Sequence, residues 1–304
     1  MEHMELVQYF YDVAYHSLVT LGSNTRIQDV LMHMALAHDT VSGQALLSAL
    51  LAFSSLRRAG LHHETMQFKV TALQALSTSS QEVAQGLAGA AQHVAACMVL
   101  CAFEILLPSK SSGDWFWYIR GAMDIVQETR LAQQSDGNEI GDLLDWACYH
   151  SAIYRFAISQ WRSKPIAAYN TEATPFDHPG GQYRALLKDR PASRSSKHLQ
   201  AMLVLFSEIC DTLLDPRDLR SRDEGHTSRL RTLEWIVRNF PASSSTSTAL
   251  ARPTTDLPFA VELYQTVTLI YLARASQTPW EPLAKLESII DRAFDGPAHP
   301  GSCV

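Results

Sequence analysis

The residues best equipped for chemistry in this chain fall in a few short stretches. His93, Cys97 and Cys101 recur at i, i+4 and i+8, with Glu104 three residues on. Two thiols and an imidazole on one helical face are competent zinc ligands. One straight helix, however, holds i and i+8 about 12 Å apart along its axis, too far for a single ion. The surrounding AAQHVAACMVLCAFEILL is built of small residues that let helices approach closely, and free Cys behaves there as a small hydrophobe. The expectation is core packing, with no metal and no cofactor.

Other histidines offer less. His62-His63-Glu64 combines two imidazoles and a carboxylate just past Gly60, but adjacent residues diverge by about 100° on a helix and do not converge on one proton. A solvated helix start is the reading. His33 and His38 are five apart and share no face as i and i+4 would. There is no HExxH, no Gly-rich phosphate loop, no GxSxG elbow and no CxxC pair.

Two aromatic groups remain. Trp146, His150 and Tyr154 lie at i, i+4 and i+8, near Arg155 and Trp161. A polar-tipped aromatic stripe of this kind lines a small-molecule cavity between helices, or it forms a core stripe with satisfied hydrogen bonds. The stretch GDWFWYIRGAMDI (Gly113–Ile125) places Trp115, Tyr118 and Ala122 along one face and Trp117 with Gly121 on the next. The Gly121-Ala122 step removes bulk one turn after the tryptophans, so a partner helix is expected to come close there. Arg120 sits between the rows, able to pair with an acid or cover a ring by cation–π contact. This is a packing step first, with any binding role riding on it. The candidate ligand-binding residues are Trp115, Trp117, Tyr118, Arg120, Trp146, His150 and Tyr154.

The elements that must position these groups read as helices throughout, because nearly every apolar segment repeats with a period close to 3.6. The expected spans are 4–21, 27–38, 41–59, 62–76, 80–107, 114–131, 141–162, 195–214, 229–240, 258–275 and 279–294. Gly22-Ser23-Asn24 is expected to end the first, Gly60 to cap the third, and Asp114 to serve as an N-cap. Residues 165–194, rich in Pro and Gly, and the Ser/Thr tract 242–258 read as irregular. The fold class is all-α: a single multi-helix domain over 1–304, looser over 195–304.

Composition limits the function. The 304 residues are 46% hydrophobic and 18% charged, with a net charge of −6. That length is ample for a sizeable core. No run of Lys or Arg exceeds Arg57-Arg58, so the basic footprint of nucleic-acid binding is absent from this sequence. Five scattered cysteines and an acidic, aromatic start suggest a reducing, intracellular setting, nuclear or cytoplasmic rather than secreted. The apolar run Val94–Phe103 stops at Glu104, well short of the roughly 18 residues of a bilayer span.

Three blocks carry a likeness to a known family. LLSALLAFSSLRRAG (Leu46–Gly60) followed by ETMQFKVTALQAL (Glu64–Leu76), then AACMVLCAFEILLP (Ala95–Pro108), then DWFWYIRGA (Asp114–Ala122), occur in this order. Together they resemble the regulatory domain of fungal zinc-cluster transcription factors, in particular the branch of sterol uptake control regulators. The likeness is clear over about residues 1–165. Tyr118 stands where that family usually has a histidine. The family's DNA-reading module, six cysteines within about thirty residues, is not in this sequence, because its five cysteines are scattered.

The resemblance implies an all-α domain that senses a small hydrophobic metabolite, forms a homodimer or associates with another regulator, and controls a metabolic or secondary-metabolite pathway without touching nucleic acid itself. The domain is either a stand-alone regulator or the C-terminal part of a longer one. Two alternatives remain. One is a biosynthetic enzyme, a cofactor-free cyclase or isomerase using His150, Tyr118 and Tyr154. The other is an interaction protein without a ligand.

Overall fold

A computed structural model describes residues 3–19, 27–37, 40–80, 86–107, 114–134, 139–161, 197–214, 219–241, 257–276 and 290. Among these residues the chain is all-α. Ten helices follow one another: α1 (Met4–Asp12), α2 (Ile27–Leu36), α3 (Val41–Ala59), α4 (His63–Ser79), α5 (Leu87–Leu106), α6 (Asp114–Glu128), α7 (Glu139–Trp161), α8 (Lys197–Thr212), α9 (Glu224–Arg238) and α10 (Leu257–Ser276). They fall into two compact units, Met1–Tyr154 with Ala185–Pro191, and Arg155–Arg184 with Ala192–Val304.

In the first unit α3 is the central helix, packed against α4, α5, α1 and α2. Its inner positions are small: Ser42, Gly43, Ala45, Ala49 and Ala52 are all buried. Short side chains let neighbouring backbones approach, and the large residues Phe10, Phe53 and Phe103 fill the gaps around them. Both ends of α3 are satisfied locally. Thr40 Oγ1 accepts from the Gly43 N–H at 2.9 Å, and Gly60 closes the helix at φ +80°, a left-handed conformation that glycine adopts without strain. The Thr40 hydroxyl donates to Gln92 Oε1 at 2.7 Å, while Gln92 Nε2 donates to the Met34 carbonyl at 2.7 Å. That chain of bonds ties α2, α3 and α5 together, with its Gln92–Met34 end buried.

α5 would pass by length and composition for a membrane span, yet 72% of its apolar window is buried inside the unit. It is a core helix. Glu104 near its C-terminus pairs with Lys69 of α4 at 2.5 Å, with only 8% and 16% of the two side chains exposed. The Lys69 ammonium also lies 5.6 Å from the Phe103 ring centroid.

Several boundaries differ from the sequence expectation: α4 runs on to Ser79, α5 begins at Leu87 rather than 80 and α9 at Glu224 rather than 229, and three further differences follow. The first helix ends at Asp12 rather than at 21, and a 3₁₀ turn over Ala14–Ser17 follows. Phe10, Ala14 and Leu18 are all buried at helical spacing across the break, so periodicity runs through it unaltered. α6 ends at Glu128, ahead of a 3₁₀ turn over Leu131–Gln134. Between them Arg130 has φ +51°, uncommon for a residue with a side chain. Asp114 is the first helical residue of α6, not the residue before it. The expected segments 22–24, 165–194, 242–256 and 279–289 lie outside the described residues, and Leu257-Pro258 already belong to α10, where an early proline is compatible with a helix start.

The second unit is built on the same principle with larger residues. α9 buries Leu230, Leu233 and Val237 at i, i+3 and i+7. α10 packs against α8 and α9 and contributes Ala260, Val261, Tyr264 and Leu272. Gln265 Nε2 donates to the Val237 carbonyl at 2.8 Å, beside the Phe240 N–H that also meets it at 3.2 Å, and so ties α10 to the end of α9.

Candidate functional site

The break after α1 has a consequence elsewhere in the unit. A residue outside a regular helix keeps its carbonyl free of the helical ladder, and Leu18 uses it to accept the Trp146 indole N–H at 2.9 Å. This bond joins positions 128 residues apart and fixes the buried Trp146 ring at the N-terminal half of α7. One turn on, His150 meets Trp146 edge-on, with centroids 5.3 Å apart and planes at 82°. One further turn on, Tyr154 stacks against His150 at 5.6 Å and 24°. Trp115 of α6 leans on Tyr154 at 5.2 Å, and Tyr149 meets His150 at 5.4 Å. Aromatic pairs favour these offset and edge-on arrangements.

The structure thus brings four of the seven candidate residues together: Trp115, Trp146, His150 and Tyr154. Two others form a separate pair. Trp117 is 57% exposed, and the Arg120 guanidinium lies 5.9 Å from its ring centroid, with Nε 3.9 Å from Asp124 Oδ2. Tyr118 is half-buried against the core of the unit. The close approach expected at Gly121-Ala122 belongs to Ala122 alone, which is wholly buried. A Cβ added at Gly121 would meet nothing within 4 Å, because that position lies beside the contact line with the neighbouring helix rather than on it.

Sequence reasoning missed two participants. Cys101, from the neighbouring α5, lies near enough to Tyr154 that the two groups shift each other's ionisation. The Leu18 carbonyl is the other. Neither leaves a local signal, since both meet α7 only through the tertiary packing.

Burial sets the protonation of this cluster. It pushes the His150 imidazole down to about 4, against a smaller opposing effect of a hydrogen bond to the Leu18 backbone. Burial raises the Tyr154 phenol and the Cys101 thiol above their ordinary ranges. At neutral pH the imidazole, phenol and thiol are therefore all uncharged. A general acid–base pair works best with a group poised near the working pH, and here the imidazole and phenol move away from it in opposite directions. The cluster is instead an apolar aromatic surface with a few neutral hydrogen-bonding atoms. His150 Nε2 is fully enclosed and has no hydrogen-bond partner among the described residues.

The other candidate groups are structural. His93, Cys97 and Cys101 are buried in the core of the first unit. The Cys97 thiol is pushed up to about 12 by burial. Ser79 Oγ donates to the Leu76 carbonyl and lies 3.2 Å from His93 Nδ1, so the imidazole donates to the serine oxygen. His62 lies at the exposed start of α4. Its Nδ1 contacts the Gly60 carbonyl and the Thr65 hydroxyl, and its Nε2 is 3.7 Å from Glu64. His33 pairs with Glu139 at 2.7 Å on the surface, linking α2 to the start of α7. Among the described residues no group of three His, Cys, Asp or Glu could hold a metal ion.

Comparison with known proteins adds the family. The profile of the fungal-specific transcription factor domain matches residues 5–294. Transcription factor iacI of Pestalotiopsis fici is 30% identical over 297 residues, an alignment that spans 95% of this chain and 72% of that protein. No solved structure matches the chain. With a helical core of the expected class and a family match across nearly its whole length, the chain belongs to the fungal-specific transcription factor domain family.

Proposed function

We propose that this chain is the effector-reading module of a nuclear transcription regulator, and that a small hydrophobic metabolite is received at the layer formed by Trp115, Trp146, His150 and Tyr154. The observation that carries this reading is the combination in that layer of four rings from two helices with an enclosed imidazole nitrogen that nothing in the described protein satisfies. Rings supply area and shape for an apolar ligand, and a single polar atom orients it. The likeness to a transcription factor supports the regulatory side of the reading.

The output we assign to this module is association, with a second copy of the chain or with another regulator. The exposed Trp117 with Arg120 over it is the first-unit feature best suited to such a contact, because Trp and Arg are the residues most enriched at interface hot spots. The regulated genes belong to a metabolic or secondary-metabolite pathway whose intermediate or product is the effector.

Native mass spectrometry of the protein purified from its own host tests the proposal. A single hydrophobic metabolite should travel with the intact chain and be lost on replacement of Trp115 by Ala. An empty chain bound to another polypeptide would replace the effector reading with a purely partner-driven one.

A further inference from the structure

We infer that the outer face of α6 is a self-association surface: two copies of this chain pair their α6 helices antiparallel across Gly121, and Arg120 of each copy reaches Asp124 of the other. The inference rests on the association assigned above as the output of the module and names a second copy as the partner.

The face follows from the way α6 packs. Ile119, Ala122 and Val126 are buried and turn α6 towards α5. At about 100° per residue these three positions lie on the side of the helix opposite Trp117. Trp117, Gly121 and Asp124, with Arg120 at the edge, therefore look away from that contact. Trp117 is 57% exposed, and 31% of the Arg120 and 41% of the Asp124 side chain are exposed. Tryptophan and arginine are the side chains most enriched where interfaces draw their energy.

Charge selects a copy of the same chain as the occupant. The patch carries one arginine and one aspartate a turn apart, and their contact within one copy is long, at 3.9 Å. A two-fold axis reverses their order in the facing helix, so the base of each copy meets the acid of the other and the patch is complementary to itself. A partner segment of a single charge sign would meet a like charge as well as an opposite one. The register follows from Gly121, the midpoint of Asp114–Glu128, where an added Cβ would meet nothing within 4 Å. The missing side chain serves no contact inside the unit, and it gives a facing helix room to come close beside Trp117. With the helices crossing there, Arg120 stands opposite position 122 of the copy. Asp124 of that copy is two residues further along, about 3 Å on the axis and within reach of an arginine side chain. Exposed Glu128 comes to the amino end of the facing α6, the positive end of its dipole. One helix of 15 residues from each copy is a small contact beside the roughly 1,600 Å² of a standard interface, so the dimer is reversible.

Sedimentation velocity of the full chain at pH 7, over a wide concentration range, tests this. The unaltered chain should show a monomer–dimer equilibrium, and Trp117→Ala should weaken it by about ten-fold or more. Gly121→Ala should weaken it as well, although a single chain has room for the methyl. Arg120→Asp and Asp124→Arg should each lose the dimer when alone. An equimolar mixture of the two should regain it as a heterodimer, because both contacts then join an acid to a base. Circular dichroism reports whether each variant folds; if a charge variant does not, the response to Trp117→Ala decides. A dimer that ignores these substitutions would overturn the inference, since the copies then meet on another face. A monomer at every concentration would overturn it and leave association with another regulator standing, and a lone monomer recovered from the host would remove that reading too.

Discussion

Two buried imidazoles in the first unit have opposite surroundings. His93 sits in α5 beside the small residues Ala90, Ala96 and Cys97, and its Nδ1 is met by Ser79 Oγ at 3.2 Å. His150 sits in α7 between aromatic rings, and its Nε2 is met by nothing among the described residues. Burial lowers the pKa of both. The difference lies in satisfaction. A buried polar group with its partner built in stabilises one packing arrangement, and one without a partner costs free energy until something supplies it. The α4–α5 seam around His93 is therefore internally satisfied, whereas the layer around His150 keeps one buried polar atom without a partner among the described residues.

The sharpest break in the finished seam is Lys69→Met. It leaves Glu104 with most of its carboxylate buried and no counter-charge, and chemical denaturation should show a loss of about 3 kcal/mol. Next in size is the response of His150 to acid. Above pH 6.5 the imidazole is neutral in both folded and unfolded chains and adds no pH dependence. Between 6.5 and about 4 the unfolded chain binds a proton that the folded chain refuses, so stability falls as pH falls; below about 4 the effect levels off. The total is on the order of 3 kcal/mol. His93 acts in the same direction. Denaturation midpoints over this range should fall less steeply in His150→Phe than in the unaltered chain, and equal slopes would mean that His150 is not held neutral.

A smaller pair of changes contrasts the two sites at neutral pH. Ser79→Ala removes the partner of His93 and should cost about 1–2 kcal/mol. His150→Phe removes Nε2, which has no partner among the described residues, and should cost less than Ser79→Ala in the ligand-free chain. A large loss from the second change would show that Nε2 is satisfied after all. The smallest effect is expected at Gly121→Ala. With open space around the added methyl and a helical backbone, the change should stabilise by about 0.5–1 kcal/mol. A loss of stability there would restore Gly121 to the line of closest helix contact.

Much of this was legible before any coordinates. The all-α class, the extent of α3, the cap at Gly60 and the shared face of Trp146, His150 and Tyr154 follow from local rules of period and conformation. The pairing of Arg120 with an acid and with a ring follows from its place one turn from Asp124 and three residues from Trp117. The break after Asp12 was not legible, because apolar spacing continues through it. Nor was the openness around Gly121, since a Gly-Ala step reads the same whether or not a neighbour lies against each residue.

The sequence by itself determined which residues face one way along each helix, because side-chain direction repeats every 3.6 residues whatever the helix packs against. It also determined the mildly acidic, non-basic character of the chain and the absence of a clustered cysteine motif from these 304 residues. The tertiary structure bears out the sequence reading of α5 as a core helix: although long and apolar enough for a bilayer, 72% of its apolar window is buried. Only the tertiary structure decided the split of the aromatic candidates into a buried layer and an exposed pair. It also decided the protonation of His150, because the burial that lowers its pKa depends on how α7 packs against the rest of the unit. Hydrogen bonding and desolvation depend on distance in space, and sequence periodicity carries information only along one element.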